Sequence, residues 1–160
     1  MSITISNAAK EILCTFGWYE GRCIELREIK IFLEDHGFSA TPIAVEFLRQ
    51  FHGLRLRPSN QGSLSFIHFD IYEEMSWIER EDKPFLDALV QAPLCPVGHG
   101  GGVLLFLTPT AEMVLLNDQW LGFSRLPNIA EGMDLILGIC RPPQYDGVSL
   151  QKEQVPPGFC

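Results

Sequence analysis

The sequence lacks long apolar runs, an excess of positive charge, paired cysteines and every common catalytic signature. Its longest apolar runs are Val103–Leu107 and Met113–Leu116, whereas a membrane helix needs about 20 consecutive apolar residues. Met1-Ser2-Ile3-Thr4-Ile5-Ser6 has neither a charged n-region nor an apolar h-region. It does not read as a signal peptide, so the expected compartment is the cytoplasm. Lysine and arginine number 12 against 20 acids, a net charge of −8. Nucleic-acid binding rests on neutralising phosphates, so this balance argues against a direct nucleic-acid partner. The five cysteines (Cys14, Cys23, Cys95, Cys140, Cys160) are odd in number and include no CxxC. Free thiols are expected rather than a disulfide framework. His36, His52, His68 and His99 stand singly, without the close ligand pairs of zinc sites. No metal or cofactor site is expected.

What is present is a foldable core. The 160 residues are 46% hydrophobic with 11 phenylalanines and 3 tryptophans. One domain of this size buries roughly 70% of its unfolded surface. Ala8, Ala9, Ile12, Leu13 and Phe16 fall on one helical face behind the capping candidates Ser6 and Asn7, and Gly17 ends the helix. Leu26, Ile29, Phe32 and Leu33 predict a second helix closing at His36-Gly37. Thr41-Pro42 opens a third, with Ile43, Ala44, Phe47, Leu48 and Phe51 inward and Gly53 as its stop. The period then changes. Leu54-Arg55-Leu56-Arg57 alternates as a half-buried strand does, and Leu64–Phe69 supplies a hairpin partner.

After the acidic stretch 70–87, a helix is expected near Pro84–Gln91. Leu94–Val97 reads as an edge strand because it contains Pro96. Val103–Leu107, Glu112–Leu116 and Gln119–Phe123 follow as strands, and a last helix spans 128–137. Short links make antiparallel neighbours. The expected class is α+β, a mainly antiparallel sheet with helices packed on one face. Residues 1–140 form the domain, and 141–160 an extended, proline-rich tail.

Catalytic readings are weak. His99-Gly100-Gly101-Gly102 resembles an esterase oxyanion loop, but no GxSxG accompanies it. A glycine turn before a buried strand explains it. GxGxxG and GxxxxGK[ST] are absent, so no nucleotide site is indicated. Cys95 and His99 could act as nucleophile and base in a small hydrolase, yet nothing nearby in sequence lowers the thiol pKa. The charge pattern is more informative. Asp70–Asp87 holds seven acids and two bases, a net of −5, while residues 1–69 carry seven of each and sum to zero. The acids lack the spacing of a calcium loop. A protein-binding acidic surface and a solvated loop over a core closed by Tyr72 and Trp77 are the two readings.

Two segments carry a family resemblance: Gly17-Trp18-Tyr19-Glu20-Gly21-Arg22, and Phe47-Leu48-Arg49-Gln50-Phe51-His52-Gly53-Leu54 at a helix-to-strand junction. With the later Cys95-Pro96-Val97-Gly98, its glycine-rich turn and Leu121-Gly122, their order resembles the SUKH superfamily, its third subgroup in particular. The similarity runs from about Ile12 to Gly138; the tail lies beyond the usual end, and the subgroup often has a hydrophobic residue where the acidic stretch sits. The resemblance implies the SUKH (Smi/Knr-like) fold. It also implies a non-enzymatic bacterial immunity protein that binds and neutralises a cognate polymorphic toxin, with nucleic acid among the toxin targets in view, in the cytoplasm of the producing cell. A regulatory scaffold is the alternative from another class. No catalytic, cofactor or metal residue is carried over. If the toxin presents a basic surface, the candidate partner-binding residues are Asp70, Tyr72, Glu73, Glu74, Trp77, Glu79, Glu81 and Asp82.

Overall fold

A computed structural model describes residues 3–139 and 147–159. Three helices come first: α1 (Asn7–Thr15), α2 (Arg27–Asp35) and α3 (Pro42–Phe51). Their starts are chemically determined. The Ser6 hydroxyl accepts from Ala9 N–H at 3.1 Å and donates to Asp134 at 2.6 Å, which caps α1 and ties it to a distant helix. Glu25 Oε1 accepts from Leu26 and Arg27 N–H, each at 3.0 Å, ahead of α2. Thr41 caps α3, and Pro42 occupies its first turn with φ pre-set.

The sheet is a seven-stranded antiparallel meander in chain order. Its strands are β1 (Arg55–Leu56), β2 (Ile67–His68), β3 (Cys95–Gly100), β4 (Val103–Leu107), β5 (Met113–Asn117), β6 (Gly122–Leu126) and β7 (Val148–Ser149). Three further helices complete the α+β architecture: α4 (Ile71–Glu74), α5 (Lys83–Val90) and α6 (Ile129–Ile136). Leu104 to Leu107 and Met113 to Leu116 are all buried, so β4 and β5 are covered on both faces.

Several elements differ from their sequence-based expectation. The first hairpin pairs only Arg55 with His68 and Leu56 with Ile67, and residues 57–66 connect it. β3 is not an edge strand: it pairs with β4 along most of its length and with β2 at His68–His99. Pro96 is tolerated there because β2 does not reach it and a bulge separates it from Gly98. β6 begins three residues later than expected. Asn117 Oδ1 accepts from Gln119 N–H at 2.9 Å and Trp120 adopts φ +58°, so an Asx turn occupies the start of the expected strand.

The glycines after His99 serve two purposes. Gly101 and Gly102, with φ of +55° and +81°, form the two-residue turn between β3 and β4. Gly100 lies within β3, where a Cβ would stand 1.9 Å from the Phe66 carbonyl oxygen. In the tail, Val148 pairs with Phe123 and Ser149 with Gly122, and Phe159 packs on Trp120 with ring centroids 6.1 Å apart. Cys140, the tail from 141 to 146, and Cys160 lie outside the described residues.

The core begins where α3 meets the sheet. Phe47 and Phe51 stand 4.7 Å apart, and both pack on Phe69, at 5.5 and 5.8 Å. Trp18 stacks on Phe51 at 6.3 Å. Arg22, four residues on, donates to the Gln50 carbonyl and, at 2.8 Å, to the His52 carbonyl. It therefore closes the C-terminus of α3, where carbonyls are otherwise unpaired. The two sequence segments quoted above thus meet as one structural unit.

Phe47 is fully buried among aromatic rings. Phe47→Ala should cost about 3–5 kcal/mol, a large part of a domain's usual roughly 5–15 kcal/mol. The urea-denaturation midpoint reports it; an unchanged midpoint and slope would contradict the assignment.

Candidate functional site

The acidic stretch is folded. It runs through α4, a 3-10 turn at Met75–Trp77, a second at Arg80–Asp82, and α5. A four-residue helix such as α4 cannot hold itself together, because most of its backbone groups lack partners within it. Each of its first three N–H groups finds one outside. Ile71 N–H donates to His52 Nε2 at 3.2 Å, and Tyr72 and Glu73 donate to Asp70 Oδ1 at 2.9 and 3.2 Å. His52 is buried, and burial lowers its pKa; the accepted bond places its proton on Nδ1.

The next residue locks α4 to the sheet. Glu74 is fully buried, and its Oε1 accepts from Gly98 N–H at 2.7 Å. β2 ends its pairing at His99, so Gly98 faces a side chain where a strand would have continued. Desolvation holds the Glu74 carboxyl well above the usual carboxylate range, and its Oε2 has no hydrogen-bond partner.

This turn of helix carries Glu73 back over β2 and β3. Arg55, His68 and His99 form a row of paired residues across β1, β2 and β3. Glu73 Oε2 lies 2.8 Å from His68 Nδ1 and 2.9 Å from His99 Nε2. Its Oε1 pairs with Arg55, which also reaches Asp70 at 3.4 Å. These bonds, first the one to His68 and then that to His99, lower the Glu73 pKa to about 2. The Phe66 ring packs at 4.8 Å from His68 and 5.9 Å from His99.

The eight sequence-derived partner residues therefore separate. Tyr72, Trp77, Glu79 and Glu81 are exposed. Asp70 and Glu73 are partly buried in the cluster just described. Glu74 and Asp82 are inside: the first binds Gly98, and Asp82 accepts from Glu79 N–H at 2.9 Å. Neither of these two carboxyls is available on the surface. Tyr72 and Trp77 do not close the core; they are 43% and 51% exposed, with Tyr72 resting edge-on against Phe32 at 4.6 Å. The His68–Glu73–His99 grouping was missed in the sequence, where the histidines stand 31 positions apart. Strand register alone makes them neighbours.

The structure does not place Cys95 as an accessible nucleophile. Cys95 is fully buried, and burial, with the neighbouring Glu74, pushes its thiol up to about 12. A thiol that holds its proton at neutral pH is no nucleophile. The imidazole of His99 is engaged with Glu73.

The sequence model described as SUKH-3 immunity protein matches residues 5–118. That span covers more than two thirds of the 160 residues, and the chain belongs to the SUKH-3 immunity protein family. The family implies a toxin-immunity function. No curated protein and no solved structure matches the chain significantly. Among the described residues, no helix is long and apolar enough to cross a membrane.

The buried Glu74 carboxyl gives the fold a pH signature. Its folded pKa lies above the unfolded value of roughly 4.3. Its contribution is therefore most favourable below that value and declines as pH rises toward the folded pKa. Glu74→Gln keeps an acceptor for Gly98 and removes the titration. The midpoint of thermal unfolding, variant minus wild type, should become more positive as pH rises above the unfolded pKa and level off once pH passes the folded one. A difference that stays flat between acidic and neutral pH would show that the carboxyl is not perturbed.

Proposed function

We propose that this protein protects a toxin-producing cell by binding its cognate toxin in the cytoplasm. The docking face is the surface carried by α4 and the two 3-10 turns after it. Family membership supports the immunity role, and the observation that carries the choice of face is an exposed aromatic pair within acidic surroundings. Tyr72 and Trp77 are exposed, as are Glu79 and Glu81 along the same stretch. Large half-exposed aromatic rings supply anchoring contacts that acids alone rarely provide. The acids supply steering, since complementary charge raises association rates, up to roughly 10⁸–10⁹ M⁻¹s⁻¹ at low salt.

The partner this surface fits is a toxin domain with a basic cleft, as a nucleic-acid-cleaving enzyme has. The mechanism is occlusion rather than catalysis. The net charge of −8 opposes direct competition for nucleic acid and favours contact with the toxin itself. Buried Ile71, Glu74, Met75 and Ile78 hold the face rigidly to the sheet, so its exposed residues can vary without loss of the core.

The assay is growth rescue and stopped-flow association with the toxin domain encoded beside this gene. Glu79→Lys/Glu81→Lys should lower the association rate about tenfold at low salt and flatten its salt dependence, with little change in stability. Tyr72→Ala/Trp77→Ala should mainly raise the dissociation rate and abolish rescue. If both folded double variants associate, dissociate and rescue as wild type does, the docking face lies elsewhere. If wild type neither binds nor rescues, the toxin-binding reading falls for that partner.

A further inference from the structure

The row Arg55–His68–His99 under Glu73 is not balanced as a hydrogen-bond network. His68 Nδ1 faces Glu73 Oε2 at 2.8 Å and Arg55 Nη1 at 3.1 Å. A proton on Nδ1 serves the carboxylate but points at a guanidinium N–H. Without that proton, Nδ1 accepts from Arg55 but sets its lone pair against the carboxylate oxygen. An imidazole nitrogen can donate or accept, not both. One contact is therefore mispaired in either state.

A cation between the three atoms relieves the contact with the carboxylate, with Arg55 Nη1, now 3.1 Å from His68 Nδ1, turning away to free that lone pair. Both imidazole lone pairs and the carboxylate oxygen then point at one positive charge, while Arg55 keeps the other carboxylate oxygen. We propose that His68 Nδ1, His99 Nε2 and Glu73 Oε2 form a binding site for a first-row divalent metal of the zinc type, with water as the fourth ligand.

The two separations from the carboxylate oxygen are close to that requirement. The three ligand atoms lie within 4.8 Å of one another. Zinc–ligand bonds of about 2.0–2.2 Å in a tetrahedron place ligand atoms roughly 3.3 Å apart. Separations of 2.8 and 2.9 Å therefore need to open by only about half an ångström, a side-chain adjustment. The backbones that carry the imidazoles are paired to each other, and Phe66 packs on both rings. Such support holds ligands in place before the ion arrives.

Arg55 supplies the outer shell that orients a ligating carboxylate, and Asp70 in turn holds Arg55. With both imidazoles neutral, Arg55, Asp70 and Glu73 sum to −1, which attracts a cation. Two nitrogens and one oxygen suit zinc, nickel or copper rather than calcium or magnesium. The side chains of His68, His99 and Glu73 retain 19%, 13% and 35% exposure, which leaves a path for the ion. The site does not depend on the toxin reading, and it is tested without any toxin.

The test is calorimetric titration of the tag-free full chain with ZnCl₂, for wild type, His99→Ala and Glu73→Gln. The exposed Cys14 and Cys23 are common to all three proteins, so adventitious thiol binding contributes equally. Wild type should bind one equivalent that both variants bind at least tenfold more weakly. Imidazole NMR on wild type keeps the proposal open to refutation if a variant fails to fold. The His68 and His99 ring resonances should shift on adding Zn²⁺, with those of His36 and His52 unmoved. No binding by wild type, equal binding by folded variants, or unmoved His68 and His99 resonances would overturn the site.

Discussion

The placement of α4 and of the side chains around it turns on the bond between the Glu74 carboxyl and Gly98 N–H. β2 pairs with β3 at a single position and then leaves the sheet. The edge of β3 beyond it would present unpaired backbone groups to the interior, which is costly. A helical turn from the chain just after β2 covers that edge, and a buried carboxyl receives the N–H that a strand would have taken. Three consequences follow from this placement. Glu73 is carried over the two histidines, Tyr72 and Trp77 are turned outward, and Cys95 is sealed beneath, where burial raises its thiol pKa.

A carboxyl in that position is an expensive choice. Its burial costs free energy unless it keeps its proton, and Oε2 finds no partner. The neighbouring Glu73 shows the opposite regime, held as a carboxylate by two imidazoles and a guanidinium. The pKa values of adjacent residues of one chemical type thus shift in opposite directions because one turn of helix directs them to different surroundings. The pair also separates two tasks: Glu74 fixes the helix to the sheet, and Glu73 faces a polar cluster that a metal can enter.

The segments that carry the family resemblance belong to the scaffold rather than to the face we assign to the toxin. Gly17 and Gly53 adopt φ of +102° and +89° at the ends of α1 and α3. Trp18 stacks on Phe51, and Arg22 takes the last carbonyls of α3. These contacts set how the helices enter the sheet and are independent of any partner's chemistry. The proposed docking residues sit on the exposed side of a segment anchored by Ile71, Met75 and Ile78, so the surface and its anchor can change separately.

Local chemistry in the sequence determined the three N-terminal helices, the antiparallel strands, the hairpin glycines and the closing helix. Periodicity, caps and turn residues act over a few positions and are readable there. The family was legible too, because its segments are short and ordered along the chain. Tertiary structure decided the rest. The acidic stretch read as a loop because α4 owes its stability to His52, Asp70 and Gly98, of which only Asp70 is its sequence neighbour. Burial of Glu74 and Asp82, among six other candidates, depends on which way each helical turn faces the sheet. The meeting of His68, Glu73 and His99 depends on strand register, and no pattern along one chain encodes which residues of two strands will stand opposite each other.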